Sequence, residues 1–338
     1  MNSRRIVAFV VLASALASTS LHSQQVPTRR ALDTPWPEVI KVDGLEIVHV
    51  QRNVYMVVGA GANVTVQNGD EGVVIVDSGA PGQAERILAA VRHLTRKPIR
   101  YLVNTSADPD HIGGNEALVK AAGARLPLTA RAGSAPANVG TAVIAHENAY
   151  NRMLQGTASL PPLTGEALPE SIFFTPRKDI FANGEPIQLF FQPNAHTDGD
   201  VIVFFRGSDV VSAGEIFRTD MYPLIDASRG GSIQGELNAM NMLLDITVPE
   251  RNQMGGTRVV PAYGRVSNEA DVVEYRDMLT IIRDRVQAMV AKGMTLQQVK
   301  ASRPTLEYDG IYGTKKEWTG EMFIEAVYRD LSQASQKK

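Results

Sequence analysis

The chain has 338 residues, 44% of them hydrophobic, and a formal net charge of −2. That suffices for one large core or two small ones, and a near-balanced charge with no basic face argues against nucleic acid as a partner. It contains no cysteine, which excludes disulfides, thiolate zinc sites and cysteine nucleophiles.

The N-terminus differs in character from the rest. Arg4 and Arg5 precede the apolar run IVAFVVLASALAS. Its about thirteen residues fall within the ~7–15 of a signal-peptide core and short of the ~20 that span a bilayer. Residues 1–23 therefore read as a signal peptide cut after Leu21-His22-Ser23, with an uncleaved membrane anchor as the alternative. Cleavage implies a periplasmic or secreted protein with no stable membrane insertion afterwards. Taking Arg4 and Arg5 from the 34 basic residues leaves 32 against 36 acidic ones, a mature net charge of −4. Residues 24–43, polar and with three prolines, read as a linker.

Regular patterns follow. LEIVHVQRNVYMVV and ANVTVQ read as strands, NGDEG as a turn, and VVIVDSG as a buried strand ending in a polar loop. Ile87, Leu88, Val91 and Leu94 recur at helical spacing. The strand IRYLV then runs into the loop NTSADPDHIGGN, followed by a helix near residues 114–122. Residues 125–184 lack a clear period and hold SLPPLTGEALPES; a long irregular excursion of this kind often covers an active site. Strands return at PIQLFF, VIVFF, DVVSAG and TRVVPAYG. Tyr275, Met278, Leu279, Ile282, Val286 and Met289 form one apolar stripe over residues 270–290. Thr295 and Gln298 have capping-box spacing. A last helix spans 317–333 with Met322, Phe323, Ala326 and Val327 inward. No internal repeat is visible.

Several familiar sites are excluded. GAGANV at Gly59–Val64 has valine where a dinucleotide loop needs a third small residue, and it joins two strands instead of opening a helix. There is no phosphate-binding G-x-x-x-x-G-K-[ST] loop and no G-x-S-x-G nucleophile elbow.

Five histidines remain after residue 23: His49, His93, His111, His146 and His196. His49 and His93 lie within a strand and a helix and read as structural. His111 and His196 sit in turns beside strands, among acids and small residues, in ADPDHIGG and PNAHTDGD. Glu215 in SAGEIF and Tyr263 in VVPAYGRV occupy two similar corners. A transition-metal ion needs about four to six N or O donors at ~2.0–2.2 Å, which four strand ends together can supply and one loop cannot.

The succession GAGANVTV, GVVIVDSG, NT-x-x-x-PDH-x-GGN, IAHEN, NAHTDGD, GEIF and VVP-x-x-G, from Gly44 to Gly264, resembles the metallo-β-lactamase-fold hydrolase superfamily. The resemblance implies an α/β fold, a four-layer αββα sandwich over residues 44–292, with a C-terminal helical extension over 293–338. The metal motif is degenerate. Where the family carries H-x-H-x-D-H, this chain has Ser106, Asp108, Asp110 and His111. His196 matches the third family histidine, Glu215 the bridging aspartate, and Tyr263 replaces the last histidine.

The resemblance thus implies Asp108, Asp110, His111, His196 and Glu215 as metal ligands. Asp108 would pair with His196 in one half-site and Asp110 with His111 in the other, with Glu215 between them. Asp110 orients water, and Tyr263 binds metal or stabilises an oxyanion. Asp77, Ser106 and Asp198 stand behind them. The implied cofactor is one or two divalent ions, zinc first, with iron or manganese favoured by the oxygen-rich donors. Adjacent carboxylates need a compensating cation, and without one repulsion should raise some of their pKa values. The implied activity is hydrolysis of an ester, lactone or amide of a small molecule through metal-activated water; the lost histidines speak against strong β-lactamase activity. The alternative is a metal-free, non-catalytic binding protein on the same fold. In that reading Asp110 caps the helix beginning near Ile112, and His196 pairs with Asp198. His146, Tyr312 and Trp318 read as structural.

Overall fold

A computed structural model describes residues 39–122, 140–157 and 159–336. Residues 1–23, read as a signal peptide, and residues 24–38 of the expected linker lie outside the described residues.

The first sheet has eight strands in chain order: β1 Val39–Val42, β2 Leu45–Gln51, β3 Val54–Val58, β4 Val64–Gly69, β5 Gly72–Val76, β6 Ile99–Val103, β7 Ala142–His146 and β8 Ser171–Phe173. Pairing is antiparallel from β1 to β5 and parallel from β5 to β8. β1 corrects the linker reading at its end. Its four residues, VIKV, pair with Leu45–Val48 across a tight turn. The second sheet comprises β9 Arg177–Ala182, β10 Glu185–Gln192, β11 Asp200–Phe205, β12 Val210–Ser212 and β13 Arg258–Val260, ordered β13-β12-β11-β10-β9.

The helices are α1 Ala84–Leu94, α2 Pro109–Ile112, α3 Asn115–Ala122, α4 Glu147–Gln155, α5 Ile233–Ile246, α6 Glu269–Ala291, α7 Leu296–Ala301, α8 Asp309–Tyr312 and α9 Gly320–Gln336. The stretch read as irregular therefore contains β7, α4, β8 and β9 within its described part. Strands of three to six residues between prolines leave too short a pattern to read.

Four layers result, and β5 shows why. Alternate residues of a strand face opposite sides. Val73 and Ile75 pack with Ile87, Leu88 and Val91 of α1. Val74 and Val76 pack with Ile187, Leu189, Val201 and Val203 of the second sheet. A strand covered on both faces reads as an unbroken apolar run. On the far side, Ile202, Val211 and Val259 of the second sheet meet Leu237, Met240 and Leu243 of α5 and Tyr275, Leu279 and Ile282 of α6.

The C-terminal helices join this outer layer: Val299, Phe323 and Val327 belong to the same buried cluster. Thr295 and Gln298 close the expected capping box at α7. In α9 the buried stripe runs through Phe323, Ile324 and Val327, and Met322 is 41% exposed, contrary to its inward assignment. The stripe is centred about one residue further along, as the 3.6-residue period then requires. Trp318 donates its indole N–H to the Pro223 carbonyl, and Tyr312 packs edge-on against Tyr275, so both aromatics pack against the core as expected; Tyr222 also stacks on Phe323.

Candidate metal centre

The polar residues singled out in the sequence lie on loops following β5, β6, β10, β12 and β13. The loops are locked to each other through backbone contacts. Ser78 N donates to the His111 carbonyl at 2.6 Å, and Val201 N donates to the Thr105 carbonyl at 2.8 Å. The two glycines after His111 permit the closest approach: a Cβ on Gly114 would fall 2.2 Å from the Ser78 carbonyl oxygen, and one on Gly113 2.2 Å from Pro81 N. Asp77 turns the chain at the end of β5 with φ +64, a conformation uncommon for a side-chain-bearing residue.

Asp77 holds three donors. Its carboxylate accepts from Thr105 N at 2.8 Å and Thr105 Oγ1 at 2.7 Å, and its Oδ2 lies 2.8 Å from His111 Nδ1. A carboxylate behind a ring nitrogen leaves the other nitrogen of that histidine directed outward, the arrangement found behind metal-bound histidines. His111 Nε2 faces Glu215 Oε1 at 3.3 Å. Ligand atoms of Asp110, His111 and Glu215 all lie within 4.8 Å of one another. Three such donors fit one divalent ion. Burial disfavours the His111 cation, yet Asp77 and Glu215 hold its pKa well above the ordinary range. Tyr263 donates its phenol to Asp110 Oδ2. Burial and the Asp110 charge push the phenol's pKa up.

The second group is built differently. His196 Nδ1 donates to the Leu224 carbonyl at 2.7 Å, and its Nε2 lies 2.8 Å from Asp108 Oδ2. Ser106 Oγ accepts from Asp108 N at 3.2 Å and lies 3.3 Å from Asp108 Oδ2. Arg229 closes the group, with Nη1 2.5 Å from Asp108 Oδ1 and Nη2 3.4 Å from His196 Nε2. Burial opposes the charge of His196, but Asp108 raises its pKa to about 10. Burial likewise opposes the Asp108 charge, and His196 and Arg229 overcome it, holding that carboxyl far below the usual range.

Arg218 is the other cation that sequence reasoning missed. It is 4% exposed, donates to Glu215 Oε2 at 3.0 Å and to Asp220 Oδ1 at 2.9 Å, and places its guanidinium 4.6 Å from the Tyr263 ring centre. Two of the carboxylates do not show the rise expected without a metal. Asp108 and Glu215 both lie below their ordinary values, because arginines and histidines of the chain itself supply the opposing charge. Glu215 followed by arginine at i+3 was the available signal for Arg218; Arg229, in a loop without period, gave none.

Two further assignments change. Asp198 does not pair with His196. Its carboxylate takes Arg152 Nε and Nη2, both at 2.7 Å, and Arg152 Nη2 also donates to the Arg229 carbonyl at 3.1 Å. Asp198 thus supports the Arg229 loop instead, while Asp200 accepts from Thr197 N at 2.6 Å and fixes the turn after His196. Nor does Asp110 cap a helix: α2 begins at Pro109, with Asp108 preceding it and making no side-chain cap. His146 is structural, as expected; it accepts from Asn148 N at the start of α4 and stacks on Phe191 with ring centres 3.6 Å apart.

Two packed sheets between helical layers, with acids and histidines on loops at the strand ends, are the architecture of the metallo-β-lactamase fold. The metallo-beta-lactamase superfamily matches residues 57–275, about two thirds of the chain, and the chain belongs to that superfamily. Its members generally bind divalent metal ions. A linear primary-alkylsulfatase from Pseudomonas sp. (strain ATCC 19151) is 24% identical over 256 residues, covering 67% of this chain and 46% of the relative. Among solved structures, a stereoselective inverting sec-alkylsulfatase from Pseudomonas sp. superposes with a TM-score of 0.58 at 16% identity, covering 84% of this chain and 49% of its own. A metallo-beta-lactamase from Pontibacter korlensis gives a TM-score of 0.52 at 16% identity, covering 70% of this chain and 99% of its own. The chain spans about half the length of the alkylsulfatases it matches.

Proposed function

We propose that the protein is an exported, metal-dependent hydrolase that cleaves an ester, lactone or amide bond of a small molecule. The observation that carries this reading is the convergence of Asp110, His111 and Glu215 to within 4.8 Å, with Asp77 behind His111. A bound divalent ion, zinc first and iron or manganese next, supplies Lewis acidity and a lowered pKa for water. Asp110, with one oxygen engaged by Tyr263, orients water with the other and takes its proton. To stabilise an oxyanion developing on the substrate, the Tyr263 phenol would turn its single O–H from Asp110 to that charge. Among esters, the alkylsulfatase likeness puts sulfate esters first. Export rests on the leader-like composition of residues 1–23.

The test is hydrolysis of an aryl sulfate, an aryl acetate and a lactone by the purified protein, before and after chelation. The reading expects turnover of one class that is lost on chelation, restored by Zn²⁺, Mn²⁺ or Fe²⁺, and abolished by Asp110→Asn. Turnover indifferent to chelation contradicts it. A second reading, a metal-free binding protein, is favoured by one observation: Arg229 and Arg218 already neutralise Asp108 and Glu215. A folded chain that takes up no ion and hydrolyses none of the three would select it.

A further inference from the structure

The superfamily's two half-sites are not equivalent in this chain. Asp110, His111 and Glu215 face one another as three donors. The counterpart made by Asp108 and His196 has two donors, and a guanidinium reaches both of them: Arg229 Nη1 is 2.5 Å from Asp108 Oδ1 and Nη2 is 3.4 Å from His196 Nε2.

Arg229 is not a surface side chain that happens to lie there. Asp226 Oδ2 accepts from its Nε at 2.7 Å, and Asp226 Oδ1 accepts from its backbone N–H at 3.1 Å. The Arg229 carbonyl accepts from Asp198 N at 2.9 Å and from Arg152 Nη2 at 3.1 Å. The loop carrying it is pinned to the His196 loop, because Asp226 N donates to the His196 carbonyl at 3.0 Å. Gly231 packs so closely there that a Cβ would lie 2.1 Å from that same oxygen. The side chain is one-fifth exposed. Arginine stays charged throughout the accessible pH range and offers donors but no acceptor, so it cannot share a ligand role. An ion placed between Asp108 and His196 would meet a fixed positive charge and would have to displace it.

We infer that this chain binds one divalent ion and not two, with the Arg229 guanidinium standing permanently as the second cation of the site. The inference rests on the metal-dependent reading above and says which half of the site takes the ion. Asp108 then serves to hold Arg229 and is itself held by His196, and Arg152 and Asp198 support the Arg229 backbone from behind.

The measurement is zinc stoichiometry and affinity on the full chain, by equilibrium dialysis against Zn²⁺ with elemental analysis of the retained metal. The wild type should retain one equivalent. His196→Ala should still retain one, whereas His111→Ala should retain less than a tenth. Arg229→Ala should bind a second equivalent at least tenfold more tightly than the wild type does, and Arg229→Lys, which keeps a cation, should not. Two tight equivalents in the wild type would overturn the inference while leaving the metal-dependent reading intact. Loss of the single equivalent in His196→Ala, or identical second-ion affinity in wild type and Arg229→Ala, would also overturn it. No retained zinc in the wild type would overturn both. Arg229→Lys and His196→Ala keep the inference open to refutation if Arg229→Ala does not fold.

Discussion

Asp77 Oδ2 lies 2.8 Å from His111 Nδ1, across the ends of the neighbouring parallel strands β5 and β6. Three donors converge on the two Asp77 oxygens: Thr105 N, Thr105 Oγ1 and the His111 ring. An asparagine has one acceptor oxygen and cannot satisfy all three. Asp77→Asn should therefore release the orientation of His111 and weaken Zn²⁺ binding about ten- to hundredfold, the range typical of such supporting carboxylates. Calorimetric titration of the chelated protein checks this; unchanged affinity would mean that Asp77 supports the loop and not the ligand.

Arg218 and Glu215 are both almost wholly buried and bonded to each other. Removing one member of such a pair leaves an uncompensated charge, at a cost of roughly 3–5 kcal/mol. Arg218→Met should lower the melting temperature of the metal-free protein by that scale of destabilisation. Adding Glu215→Gln should recover part of it, since the stranded charge is then gone. If the double variant is destabilised relative to the wild type by the full sum of the two single effects, the two side chains do not act as a pair.

Glu236, on α5, has both carboxylate oxygens buried without a hydrogen-bond partner among the described residues. Burial and the nearby charge of Asp200 raise its pKa well above the ordinary value. The folded state thus keeps a proton that the unfolded chain loses above its ordinary pKa of about 4.3. Stability from this group is fully present below that pH and is lost as pH rises towards the folded-state value. Glu236→Gln should flatten the fall of melting temperature between pH 5 and pH 8, with the variant gaining on the wild type as pH rises. A parallel pair of curves would contradict a neutral Glu236.

Phe323 of α9 is fully buried and stacks on Tyr222, ring centres 4.8 Å apart, in the cluster shared with α5 and α6. Truncating a buried phenylalanine costs roughly 3–5 kcal/mol. Phe323→Ala should therefore destabilise the whole domain in one transition. A separate early transition confined to the C-terminal helices would show that they unfold on their own.

The parts of this structure legible from sequence are those in which local pattern and tertiary role coincide. The buried strand Gly72–Val76 and the helix Ala84–Leu94 announce themselves, because two covered faces and one covered face leave distinct periodicities. His111 was identifiable because strand, acid, histidine and paired glycines occur together. Arg229 was not. Its role depends on Asp226, Asp198 and Asp108 meeting in space, and no spacing encodes a contact between residues 108 and 229. Asp198 was assigned to the wrong partner for the same reason. It is two residues from His196 along the chain, but the turn fixed by Asp200 sends its carboxylate to Arg152. The edge strand Val39–Val42 was lost in a polar, proline-bearing surround that its four residues could not outweigh.

The most direct measurement of the central claim is anomalous diffraction at the zinc absorption edge, from crystals of the full chain grown with Zn²⁺. The account predicts one strong peak within bonding distance of Asp110, His111 and Glu215, and none between Asp108 and His196. A peak between Asp108 and His196 with Arg229 swung away, or crystals holding no zinc beside His111, would contradict it.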